Sequence, residues 1–142
     1  MATDALPRRP LTVRRGDAVA TAAYTLGAVA LAAEAAVHIQ QYASLLHEVR
    51  WIGPLFLANA AACVIAIIGL AYGRTRALAA LAGVVISALA LGSLAVSYGH
   101  GLFGWHEGGF RTAIAIAVIT EMCAAILLSG ALTTAAVRRH AH

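Results

Sequence analysis

Ile52 to Tyr72 reads IGPLFLANAAACVIAIIGLAY and carries no charge. A bilayer core about 30 Å thick takes about 20 apolar residues of helix to cross, and this run supplies them without a break. Working outward, three more stretches of the same kind follow, at Ala18 to Ile39, Ala77 to Tyr98 and Thr112 to Leu132. The runs are continuous and rich in Ala and Leu, not short and alternating, which excludes a membrane β-barrel. Hydrophobic residues make up 61% of the 142-residue chain and charged residues 11%, against roughly 25% charged in a soluble domain. The sequence predicts an all-α membrane protein, an antiparallel bundle of four transmembrane helices spanning residues 17–137. An Arg-rich arm (1–16) precedes it and a tail (138–142) follows it. Ala, Gly and Ser within the spans suit close helix approach, because lipid gives no hydrophobic drive for association.

The charges orient the bundle. All ten basic residues are arginine. Arg8, Arg9, Arg14, Arg15, Arg74, Arg76, Arg138 and Arg139 fall in the arm, the second connection and the tail, and only Arg50 and Arg111 in the other two connections. Eight against two predicts a plasma (inner) membrane protein with both termini cytoplasmic and the longer connections outward. The net charge of +4 is thereby accounted for by topogenic arginines touching lipid headgroups, and nucleic acid is excluded as a partner. The arm and first run resemble a secretory signal; we read them as an uncleaved first helix. The arm, with Pro7 and Pro10, is expected to be irregular or to lie on the headgroups.

The connection 73–76 is so short that helices two and three must form a tight hairpin. Connections 40–51 and 99–111 are longer and hold or border Trp51, Trp105, Tyr42, Tyr98, Phe103 and Phe110, an interfacial aromatic belt. Pro54 sits in the first turn of helix two, where its missing N–H costs nothing.

The chemistry gathers toward the same side. Glu34 and Glu121 lie inside apolar spans, where a carboxylate costs about 2.5 to 3.5 kcal/mol near the centre and so must face protein or water. At about 1.5 Å rise per residue, Glu34, Asn59, Ser93 and Glu121 reach comparable depth, which predicts a shared polar layer. His38 stands one turn from Glu34 and Tyr42 one turn further on one helix face. The run His100 to Glu107, with His106, places imidazoles and a carboxylate on a glycine-rich loop able to fold over the bundle's mouth, and His47 lies at the same level. Pocket candidates are therefore Glu34, His38, Asn59, Ser93 and Glu121; metal candidates are His38, His47, His100, His106 and Glu107. Imidazole with carboxylate suits zinc, copper or iron, two imidazoles could ligate haem, and the same groups could pass protons or simply satisfy one another at an interface. Cys63 and Cys123, both near mid-membrane, form no disulfide framework; they read as small packing residues or as a soft-metal or redox pair.

Ala36-Val37-His38 with Gln40 to Tyr42, then Trp51 to Ala60 (WIGPLFLANA), then Gly101 to Glu107 (GLFGWHE), resemble a group of small four-helix membrane proteins of high-GC Gram-positive bacteria. The resemblance covers most of residues 30–125. It implies the same topology, singles out His38, Asn59, Glu107 and Glu121, and brings no activity with it. The chain departs from that pattern at Trp105 and His106 and in having Glu34.

Soluble-type catalysis has no foothold: the chain contains no phosphate-binding loop, dinucleotide fingerprint, HExxH motif or nucleophile elbow. Three functions stay open. One is a binding module whose outward pocket holds a metal ion, haem or quinone-like ligand. Another is an accessory subunit that packs against a larger membrane complex or its own copies. The third is a proton-coupled transporter with Glu34 and Glu121 as gates.

Overall fold

The computed structural model describes residues 11–140, with side chains for 16–139. Helix α1 (Leu11–Gln41) continues into a π-helical turn (Tyr42–Leu46), followed by α2 (Ile52–Ala71), α3 (Arg76–Gly99) and α4 (Thr112–His140). All four helices are long and apolar enough to cross a membrane, and the protein is a multi-pass, all-α four-helix bundle. Helix is what the sequence must form in lipid, since each backbone N–H and C=O needs a partner within its own segment.

Two boundaries differ from expectation. The arm is helical from Leu11 onward, because after Pro10 nothing breaks a helix and Arg is a good helix former; residues 1–10, including Arg8 and Arg9, lie outside the described residues. The connection expected at 40–51 is still helical to Gln41 and closes with a wider turn, His47 N–H donating to Tyr42 O at 3.0 Å. Gly53 permits that turn to pack down on α2, since a Cβ there would meet Leu46 O at 2.5 Å.

Each helix packs against its sequence neighbours and α4 closes the ring against α1. Both described chain ends and the α2–α3 connection define one end of the bundle, the terminal pole; the other two connections define the loop pole. At the terminal pole Thr75 Oγ1 donates to Gly69 O at 2.8 Å and Arg76 Nε to Leu70 O at 2.9 Å, satisfying carbonyls left open at the end of α2. The Arg138 guanidinium reaches the Asp17 carboxylate and Gly16 O, tying the last helix to the first. Arg74 and Arg139 are exposed at this pole; Arg14 and Arg15 lie near the start of α1.

The terminal half of the bundle is a dry core. Leu31 and Leu128 are fully buried among Ala66, Ala79, Ala80 and Ala124. Leu128 fills a notch cut by two glycines: a Cβ on Gly27 would lie 2.5 Å from its Cδ2 and one on Gly83 2.6 Å from its Cδ1. Ile65, Leu78, Leu89 and Ile126 point outward, as acyl-chain contacts require.

Candidate functional site

Just above the Leu31–Leu128 layer, three ionisable groups from the first and last helices meet. Glu34 is fully buried, Glu121 3% exposed and His38 6% exposed. One ligating atom from each lies within 4.8 Å of the other two. The i, i+4 spacing puts Glu34 and His38 on one face of α1, and the extensive α1–α4 contact brings Glu121 to it.

The orientation of each group follows from its neighbours. His38 Nδ1 lies 3.0 Å from the Glu34 backbone oxygen. That oxygen can only accept, so Nδ1 carries a proton and Nε2 is the ring atom left to face Glu121. Nε2 stands 3.8 Å from Glu121 Oε1. Glu34 Oε2 accepts from Ser87 Oγ at 2.7 Å, across the diagonal of the bundle. Two buried oxygens, Glu34 Oε1 and Glu121 Oε2, find no hydrogen-bond partner among the described residues. An unmatched buried acceptor costs about 1 to 3 kcal/mol, more when charged.

A cavity of about 110 Å³ runs from this cluster toward the loop pole, with His38 and Glu121 in its floor. Its walls are largely apolar, among them Phe56, Leu94 and Ile114. Asn59 and Ser93 border it, although Ser93 is otherwise exposed. Glu34 lies behind the floor and does not line the cavity. At the mouth Arg111 donates to both oxygens of Glu107 (3.1 and 3.0 Å) and to Gln41 Oε1 (3.3 Å).

The loop 100–111 caps the mouth. Its tip is a tight turn in which Leu102 and Trp105 pair, with Gly101, Phe103 and Gly104 at positive φ (80°, 50° and 83°). Trp105 and Glu107 line the cavity, and Glu107 N–H donates to Ser97 O at 3.3 Å. The loop histidines do not turn inward. His106 is exposed, with its ring on Gly101; His100 is exposed; and His47 lies 3.8 Å from Glu48 on the surface. None of the three lines the cavity, so the floor holds one imidazole and lacks the second that bis-histidine haem ligation needs. Tyr42 packs near His47, ring centroids 6.4 Å apart, and also stays outside. Cys63 is buried and donates to Asn59 Oδ1 at 3.4 Å, while Cys123 is exposed; the two thiols do not share a site.

Sequence reasoning missed Ser87, Ser97, Gln41 and the mouth position of Arg111. The serines carried no signal beyond a hydroxyl inside a span, and Arg111 read only as a charge in a connection. Comparison with protein-family models, curated proteins and solved structures finds no match to the chain, so the chemistry of the site must be argued from its own geometry.

Proposed function

We propose that the protein is a membrane binding module whose Glu34–His38–Glu121 cluster holds one divalent transition-metal ion, reached through the cavity from the outer side of the plasma membrane. The observation that carries this reading is the convergence of three buried ligating atoms, with two carboxylate oxygens left without partners. One imidazole and two carboxylates form a hard to borderline donor set suited to iron(II), manganese(II) or zinc(II). Two carboxylates also neutralise a dication, which lowers the penalty of burying charge among apolar helices. Bonds of about 2.0 to 2.2 Å around an ion bring ligating atoms to roughly 3.5 Å of one another, a closure of about an ångström that side-chain rotation supplies. Ser87 and the Glu34 carbonyl then act as the outer partners that fix ligand orientation. The arginine bias supports a cytoplasmic terminal pole and, with it, an outward-facing mouth.

The test is metal analysis of detergent-purified protein, followed by cobalt(II) titration of stripped protein. About one equivalent of metal, and cobalt absorption lost in Glu121→Gln, are expected. Substoichiometric metal and a cobalt spectrum unchanged by that substitution overturn the reading. Because the ligands must shed protons, affinity should fall as pH is lowered.

A second reading is favoured by the contact of His38 Nε2 with Glu121 Oε1: without metal, the pair exchanges protons with the cavity. The closely packed terminal half makes this a one-sided exchange, and a carboxyl infrared band that does not change with outer pH in wild type, or that changes equally in Glu121→Gln, would dispose of it.

A further inference from the structure

The cavity above the cluster has its own chemistry, distinct from the metal ligands. Ser97 is 6% exposed and lines the cavity near its mouth, and its Oγ finds no hydrogen-bond partner among the described residues. On the floor, Glu121 Oε2 is likewise unmatched, while the other oxygen of that carboxylate, Oε1, faces His38 Nε2. Between these two polar stations the wall is apolar and partly flat: the Phe56 and His38 rings lie 4.7 Å apart with a 38° tilt, and Trp105 sits toward the mouth.

Size and spacing narrow the occupant. At about 110 Å³ the cavity is smaller than the roughly 150 Å³ hole that accepts one benzene, which excludes an enclosed macrocycle and limits the occupant to one small ring whose outer end lies in the open mouth. Ser87 marks the level of Glu34; Ser97 stands ten residues further along α3 and His38 four further along α1. The rise per residue therefore separates Ser97 from the floor by about 9 Å along the bundle axis. A ring with oxygens at its 1 and 4 positions, plus one hydrogen bond of about 2.8 Å at each end, reaches about 11 Å and spans that interval when tilted from the bundle axis.

We propose that the cavity binds a single ring bearing hydroxyls at opposite ends, a 1,4-benzenediol. One oxygen meets the His38–Glu121 floor and the other Ser97 Oγ. The proposal shares the pocket with the metal reading and does not require the metal.

The test uses 1,4-benzenediol under anaerobic conditions with the full chain in lipid nanodiscs, empty nanodiscs correcting for partition into lipid. Benzene serves as the size control and 1,4-dimethoxybenzene as the control without donors. Saturable one-to-one binding of the diol is expected, at least tenfold tighter than benzene or the dimethoxy compound. Ser97→Ala should weaken it about fivefold, as loss of one neutral hydrogen bond does, while Ser97→Thr, which keeps the hydroxyl, should retain it. Benzene binding as tightly as the diol, Ser97→Ala binding as wild type, or no saturation above empty nanodiscs each overturns the proposal. Running the series on stripped and zinc-loaded protein separates the two ideas. Ring binding without metal binding removes only the metal reading, and metal binding without ring binding removes only this one. A decyl-substituted diol that binds tighter than the parent assigns a membrane-borne ligand; equal binding assigns one arriving from water.

Discussion

The two halves of the bundle solve opposite problems with the same four helices. In the terminal half, small residues let the backbones close until Leu128 fills the space between Gly27 and Gly83, and the result is tight and dry. In the loop half the corresponding positions are Phe56, Asn59, Ser97 and Glu121, and the helices enclose a cavity instead. The boundary falls at Glu34 and Ser87, one polar pair directly above the leucine layer. Lesions below this boundary should cost stability, and lesions above it should cost binding.

The largest expected effect tests the lower half. Gly83→Val places methyls into Leu128 and Leu31, whose Cδ1 would stand 3.1 Å from the new Cβ; overpacking of this kind costs about 3 kcal/mol. Thermal unfolding in detergent should show a large fall in midpoint, and an unchanged midpoint would mean that the notch is not tightly packed. Next comes Glu121→Gln, predicted to weaken metal binding about a hundredfold, close to 2.7 kcal/mol, with little change in midpoint. Equal losses in both measurements would erase the division between the halves. Ser87→Ala removes the hydrogen bond that orients Glu34 and should cost about tenfold in metal affinity; wild-type affinity would show that Glu34 needs no orienting partner. Smallest is Cys123→Ser on the lipid-facing surface of α4, expected to move either quantity by no more than about 0.5 kcal/mol, whereas loss of metal would bring that thiol into the site.

This division also explains what the sequence disclosed. The spans were legible because hydropathy over some twenty residues depends on composition, not on partners. Glu34 and Glu121 were legible because a carboxylate within such a span has to be matched by something. The dry half was nearly silent: Gly27 and Gly83 read as generic small residues, since the leucine they admit is on another helix. The histidines misled by proximity in sequence. His100 and His106 are close to Glu107 along the chain, but the turn at Gly101 to Gly104 holds the His106 ring against its own loop. Ser97 and Gln41 acquire meaning only from helix rotation, which is set by packing that no single segment encodes.

The polar cluster draws its acids from α1 and α4, the first and last of the four described spans to be synthesised. At about 5 to 20 residues per second, several seconds of translation separate Glu34 from Glu121, and Ser87 arrives in between. During that interval the nascent first span holds an acid still waiting for its companion on the last. The cluster is thus completed only once α4 has been made and packed against α1.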